Sequence, residues 1–392
     1  MRRALALAAR GLGETNPNPV VGCVVARGGR VVGEGYHARA GGPHAEVLAL
    51  RRAGGRARGA TLYVTLEPCA HHGRTPPCAP LVREAGVARV VAALRDPDPR
   101  TSGRGLALLR RAGVRVDLGL CAEEAAALNV RFLAAARSGR PYVLLKAALT
   151  LDGRIATGAG RSKWITTPAQ RRQARALRRL HDAVLVGVGT VLADDPLLLP
   201  EPRTRRPFTR VVLDSRLRLP LESRLARTAG PGTPVLVLCG RDAPAPRRRA
   251  LAAAGVTVVQ VPEPGPASLP RPARIGVRAE TAGESGLGRG AGPGGRTAAA
   301  LAALFARGHG SVMVEGGSEV LGSFLAARLV DEVALFRAPL LLGGRASLPA
   351  FGGPDPEELG DGLLVERVPE TPARAWPWRG PALFELWRPR HR

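Results

Sequence analysis

The 392-residue chain is almost devoid of lysine: Lys146 and Lys163 are the only two. Methionine (2), tyrosine (3) and tryptophan (4) are scarce as well, and aromatic residues make up only 4% of the chain. A platform for single-stranded nucleic acid relies on exposed aromatic rings, so its main ingredient is missing. No apolar run approaches the roughly 18 residues of a membrane-spanning helix. Five cysteines occur, at Cys23, Cys69, Cys78, Cys121 and Cys239, with no C-x-x-C spacing among them. An odd number without a secretory signal argues against a disulfide scaffold. The N-terminal MRRALALAARGLGE reads as an amphipathic helix rather than a signal peptide, and a cytoplasmic protein is expected.

Positive charge, by contrast, is abundant: 58 basic residues stand against 32 acidic ones, a formal net charge of +26. Gly, Ala, Pro and Arg are plentiful throughout, and the charge is spread along the chain rather than gathered into a stripe. Such a pattern reflects overall composition, so neither nucleic acid nor membrane is expected as a partner. The excess suits an anionic small molecule.

The length suits two domains, and 45% hydrophobic content is enough to give each a core. The first is expected over residues 1–138: a helix over 2–12, two strands in VVGCVVARGGRVVGEGYH, a helix from PHAEVLALRRA, and the strand ATLYVTLEP. A helix in APLVREAG and strands in ARVVAAL and GVRVDLG continue the α/β alternation. The second, 139–392, alternates again from RPYVLLKAALTLDGRIA onwards. A Gly-, Pro- and Arg-rich stretch near 265–297 reads as a low-complexity insertion, followed by the helix TAAALAALFARG.

Two segments carry the first chemistry. PHAEV places His44 and Glu46 at the start of a helix, and TLEPCAHHGRTPPC holds Cys69 and Cys78. One imidazole and two thiolates make three zinc ligands with the fourth position open, the arrangement of a catalytic site. Glu46, two residues from a ligand, is free to carry protons, which is the H-x-E plus P-C pattern of zinc deaminases. The long spacer AHHGRTPP supplies His71, His72 and Arg74. His71 and His72 could compete as ligands, but these donors are better suited to a phosphate or a polar heterocycle.

With NPNPVVGCVV, GEGYH, PHAEVLAL, YVTLEPCAHHGRTPPC and DPDPRTSGRGLALLRRAGV, the first domain closely resembles the bifunctional deaminase/reductases of bacterial riboflavin biosynthesis. The resemblance implies an α/β protein: a cytidine-deaminase-like three-layer domain followed by a dihydrofolate-reductase-like domain. It implies hydrolytic deamination of a phosphorylated diaminopyrimidinone ribosylamine, with Asn18, His71 and Arg74 holding the substrate and Glu46 relaying protons.

In the second domain, VGVGTVLADDP and VEGGSEVLGSF are glycine turns after apolar strands, and neither has the spacing of a dinucleotide fingerprint. Together with KAALTLDGRIATGAGRSKWIT and VVLDS they resemble the reductase half of the same family. That implies NADPH as cofactor and reduction of the ribosyl group to ribityl. It places Ala148, Trp164, Thr190, Asp194, Ser215 and Gly317, Ser318, Glu319, Val320, Leu321, Gly322 and Ser323 at the cofactor. Lys146, Ser162, Arg178, Leu198 and Glu315 are placed at the substrate. A homodimer or larger homo-oligomer is expected on the same ground. The chain departs from the family after the DDP turn, where Leu199 and Glu201 occupy positions usually held by Thr and a phosphate-clamping Arg. Arg203 is the nearest substitute.

Overall fold

A computed structural model describes residues 1–71, 76–99, 101–261, 294–353, 355–369 and 383–390. The elements begin with α1 (Arg2–Ala9), β1 (Gly22–Arg27), β2 (Arg30–Tyr36), α2 (Ala45–Ala53) and β3 (Thr61–Val64). There follow α3 (Cys78–Glu84), β4 (Arg89–Ala92), α4 (Arg104–Arg111), β5 (Arg115–Leu118), α5 (Ala122–Leu128) and α6 (Val130–Ser138). The five strands form one sheet in the order β2-β1-β3-β4-β5, antiparallel around β1 and parallel from β3 to β5. Apolar faces of α2, α3 and α4 close over it, burying Val25, Leu62, Val64, Val82, Val90 and Leu106. α1 stops at Ala9 rather than near residue 12, because Gly13 turns the chain with φ of 80°.

The second unit opens with β6 (Tyr142–Thr150), β7 (Arg154–Ala156), α7 (Pro168–Arg178), β8 (Ala183–Gly187), α8 (Val188–Asp194) and β9 (Thr209–Leu213). It continues through α9 (Arg224–Arg227), β10 (Val235–Cys239), α10 (Ala245–Ala253), β11 (Thr257–Gln260), α11 (Gly294–Phe305) and β12 (Ser311–Val314). α12 (Ser318–Ala326), β13 (Glu332–Ala338), β14 (Leu348–Pro349), β15 (Val365–Arg367) and β16 (Glu385–Pro389) complete it. Nine strands run β11-β10-β9-β8-β12-β6-β13-β16-β15, parallel as far as β13 and antiparallel beyond. Central strands buried on both faces read as the unbroken apolar runs AVLVG and SVMV. Most of the insertion expected near 265–297 lies outside the described residues. α11 already includes Gly294 to Arg296, so the helix begins ahead of the expected Thr297.

Short polar contacts join the two units. Arg179 Nη2 donates to Glu14 Oε1 at 2.9 Å, Asn16 Nδ2 to the Leu180 carbonyl at 3.2 Å, and Arg206 Nε to the Gly13 carbonyl at 2.9 Å. On the first unit's side, Asn129 at the start of α6 exchanges two hydrogen bonds with the Val20 backbone, at 2.9 and 3.0 Å. No helix among the described residues is long and apolar enough to cross a membrane.

Candidate active sites

The first site is assembled at the sheet end where α2 and α3 begin. His44 is the N-cap of α2, Cys78 is the first residue of α3, and Cys69 follows the turn after β3. His44 Nδ1 lies 3.2 Å from Cys78 Sγ and 3.6 Å from Cys69 Sγ, and the three donor atoms fall within 4.8 Å of one another. With zinc bonds of about 2.0–2.3 Å, the edge of a tetrahedron is about 3.5 Å. The spacing and the soft N/S donor set therefore fit zinc and suit it better than a hard, oxygen-seeking cation.

The charges around this cluster are uneven. Hydrogen bonding from Cys78, reinforced by His44, brings the Cys69 thiol down to about 4. The hydrogen bond to Cys69, with burial, pushes the Cys78 thiol up. Glu46 is only 3% exposed, and burial raises its carboxyl to about 7. Burial also lifts Asp96 to about 6.

These groups line a pocket of ≈ 460 Å³ that includes Asn18, His44, Glu46, Cys69 and His71. His71 Nδ1 is 2.9 Å from Thr101 Oγ1, which fixes the ring at the pocket edge. His72 and Arg74 lie outside the described residues. The structure adds residues that the sequence reading did not single out: His37, Glu67, Asp96 and Asp98 share the same pocket. His37 stands 3.4 Å from Asn18 Nδ2 and meets the His44 ring edge-on, at 5.5 Å between centroids. Its signal was the GEGYH stretch, and that of Asp96 and Asp98 was DPDP.

Glu67 is the least conspicuous and the most connected. Its buried carboxylate accepts from the backbone N–H groups of Asp96, Gly103, Gly105 and Leu106, at 3.3, 2.9, 3.0 and 3.2 Å. Charge-assisted bonds of this kind tie the 96–106 loop and the start of α4 to the residue two places before Cys69. Gly105 completes the fit, since a Cβ there would lie 1.9 Å from the Pro68 carbonyl oxygen.

The second site is a cleft of ≈ 890 Å³ at the C-terminal ends of β6, β8 and β12. It gathers Lys146, Ala148, Ser162, Trp164, Arg178, Thr190, Asp194, Leu198 and Glu315, nine of the expected positions. At its polar end Arg178 grips Glu315 with two bonds, Nε to Oε1 at 2.6 Å and Nη2 to Oε2 at 2.9 Å. Lys146 Nζ stands 3.8 Å from Glu315 Oε2. Burial draws the Lys146 ammonium below its ordinary value, partly opposed by Glu315. The nearby cations outweigh burial at Glu315 and hold its carboxyl down.

Another part of the lining combines an exposed aromatic ring with charged side chains. Trp164 is 71% exposed and stacks against the Arg171 guanidinium at 4.4 Å, while Lys163 Nζ reaches Asp194 Oδ1 at 3.1 Å. Leu198 holds a left-handed backbone (φ 54°), an uncommon conformation for a branched side chain. Glu201 forms an ion pair with Arg175, and Arg203 shares the cleft with both. The remaining expected positions sit elsewhere. Ser215 is exposed at the end of β9, and residues 317–323 do not line the cleft. Within that turn and helix, Leu321 is in the core and Gly322 packs against Gly352, whose carbonyl would be 1.7 Å from a Cβ. The glycine turns still offer bare backbone: a Cβ at Gly189 would meet nothing within 4 Å, and one at Gly317 only Thr190 Oγ1 at 3.9 Å. An aromatic face and a cleft of this volume, with the open backbone at the head of α12 next to Thr190 on its wall, fit a dinucleotide.

A five-stranded α/β layer presenting H-x-E and two cysteines, joined to a largely parallel sheet with a dinucleotide-sized cleft, defines a zinc deaminase fused to a reductase. Residues 1–94 match the cytidine and deoxycytidylate deaminase zinc-binding region, and residues 141–367 match the RibD C-terminal domain. The riboflavin biosynthesis protein RibD of Escherichia coli K12 is 42% identical over 360 residues, covering 88% of each chain. That of Aquifex aeolicus is 41% identical, covering 90% of this chain and 89% of the relative. Among solved structures, Acinetobacter baumannii RibD (form 1) superposes with a TM-score of 0.80 at 35% identity, covering 100% of this chain and 98% of that one. A Thermotoga maritima diaminohydroxyphosphoribosylaminopyrimidine deaminase/5-amino-6-(5-phosphoribosylamino)uracil reductase gives 0.76 at 34% identity, with 99% and 97% covered. The chain belongs to the RibD family of bifunctional, zinc- and NADPH-dependent enzymes of riboflavin biosynthesis.

Proposed function

We infer that the first site removes the amino group from 2,5-diamino-6-(5-phosphoribosylamino)pyrimidin-4(3H)-one, and that the second reduces the ribosyl group of the product to ribityl. The observation that carries the reading is the His44, Cys69 and Cys78 cluster with Glu46 buried in the same pocket. When bound, zinc lowers the pKa of a water molecule towards about 7 and so provides a nucleophile at neutral pH. His44, Cys69 and Cys78 would hold the zinc, and Glu46 would take up the proton of the attacking water and pass protons to the ring nitrogen and the departing ammonia. Asn18 and His71 hold the substrate, and His37 keeps Asn18 in position.

In the second site NADPH supplies hydride. Trp164, Thr190, Asp194 and Ala148 hold the cofactor, with Ser215 and the turn from Gly317 through Ser323 at its outer reach. Lys146, Ser162, Arg178, Leu198 and Glu315 hold the sugar phosphate. Arg203 supplies the positive charge for which the family uses an arginine at position 201. The unit boundary falls between Ser138 and Gly139, giving units 1–138 and 139–392. The chain works in the cytoplasm as a homodimer or larger homo-oligomer, which light scattering on the purified protein measures.

The test is a coupled assay on zinc-loaded protein, following ammonia release and NADPH oxidation separately. Both signals are expected, ammonia first. NADPH oxidation that fails even when 5-amino-6-(5-phosphoribosylamino)uracil is supplied directly would refute the second half of the reading.

A further inference from the structure

A third concavity, ≈ 970 Å³, lies between the two units and touches both sites. Pro17 lines it and the deaminase pocket alike, and Arg203 lines it and the reductase cleft alike. Its walls carry seven arginines against two carboxylates, Glu14 and Asp182. The whole chain has 58 basic residues to 32 acidic ones, and the walls here follow that bias while gathering it into one concave surface.

Both carboxylates are already engaged. Glu14 accepts from Arg179 at 2.9 Å and from the Arg205 backbone N–H at 3.1 Å. Asp182 accepts from Ser311 Oγ at 2.9 Å and stands 3.9 Å from Arg206. Arg39 from the first unit, and Arg203 and Arg307 from the second, form no ion pair among the described residues, and Arg10 acts on Glu34 only through its charge. A concave surface of one sign focuses its field and concentrates counter-ions of the opposite sign.

We propose that this inter-unit cleft is a transfer path for the phosphorylated intermediate, its arginines holding the phosphate monoester between the deaminase pocket and the reductase cleft. The proposal rests on the two consecutive reactions inferred above. The phosphate, at about −1.5 to −2 charges, is the strongly charged group of the intermediate, and it is untouched by either reaction. A path that reads only this group holds the intermediate without contacting the ring or the ribosyl carbon on which either site acts.

The experiment uses zinc-loaded full-length protein, NADPH, deaminase substrate radiolabelled in the ribose, and an excess of unlabelled 5-amino-6-(5-phosphoribosylamino)uracil. The label in the ribityl product is compared with the value for complete mixing in solution. Product from the native enzyme should hold at least about twofold more label than mixing allows, and the excess should vanish near 1 M salt, where the screening length is about 3 Å. The triple substitution Arg39→Glu, Arg205→Glu, Arg307→Glu should bring the label to the mixing value and lengthen the lag before NADPH oxidation. Ammonia release and reduction of saturating supplied intermediate should stay within about twofold, because these side chains touch neither site's expected contacts. Milder Arg→Gln versions should give an intermediate label. If native product carries only the mixing value while both half-reactions run, or the triple variant retains the excess, the path is refuted and the functional reading stands. If the native enzyme releases no ammonia, the functional reading falls and the path falls with it.

Discussion

Glu46 and the cysteine pair have separable duties. Glu46→Gln keeps the shape of the buried side chain but cannot take a proton, so ammonia release should fall by about 10²–10⁴-fold. Metal analysis should still find one zinc per chain, and reduction of supplied uracil intermediate should continue. Cys69→Ser should instead lose the metal, and a chelator should do the same to the native protein, each leaving NADPH oxidation intact. In the second unit, Lys146→Met retains the Arg178–Glu315 grip but removes the ammonium. The expectation is a large loss in reductase kcat with deamination untouched, read from the two signals of the coupled assay. The deaminase residues behind these predictions were legible in the sequence because their spacing is local: His44 and Glu46 share one turn, and the cysteines share one loop, whereas Lys146 came only through the family resemblance. Glu67, His37 and Asp96 were not legible. Their roles depend on where the 96–106 loop and the Asn18 segment close over the pocket, and no spacing along the chain encodes that.

At the level of elements, the pivotal contact is α4 against the strand exit that bears Cys69. Because a Cβ at position 105 would lie 1.9 Å from the Pro68 carbonyl, Gly105→Ala must displace the helix or the Pro68–Cys69 backbone. Thermal unfolding should report a loss of about 1–3 kcal/mol, typical of overpacking. A competition titration with a chromogenic chelator should show weaker zinc binding. Glu67→Gln should act on the same joint, substituting a neutral amide for a carboxylate that receives four backbone N–H groups. The alternation of helices and strands could be read from apolar periodicity, since α2, β3, β6, β8 and β12 each carry a clear pattern. The order of strands could not. Nothing in β12's own residues specifies that it lies between β8 and β6, since that follows from how the crossover helices pack.

For the molecule as a whole, His181 sits where the units meet. It is fully buried, stacked 6.2 Å from Tyr142, and burial, helped by Arg131 and Arg206, depresses its pKa well below 6.5. The unfolded chain therefore binds a proton that the folded one refuses, and stability should fall as pH drops below about 6.5. His181→Phe, which keeps a ring against Tyr142 and cannot titrate, should weaken the dependence of melting temperature on pH between about 6.5 and 5, the remainder coming from His37 and His309, which burial also depresses. Neither ring nitrogen has a hydrogen-bond partner in the described structure, so the substitution removes no such bond. The same seam bears on gene architecture. The stretch from Gly13 to Asn18 ends in Pro17 and Asn18 of the deaminase pocket, yet Glu14, Asn16 and the Gly13 carbonyl are gripped by Arg179, Leu180 and Arg206 of the other unit. A split into two separately encoded proteins would strip this stretch of half its anchors at one stroke. Fission of such a gene would thus succeed only with new support for those six residues, whereas an ancestral fusion would have made the support permanent.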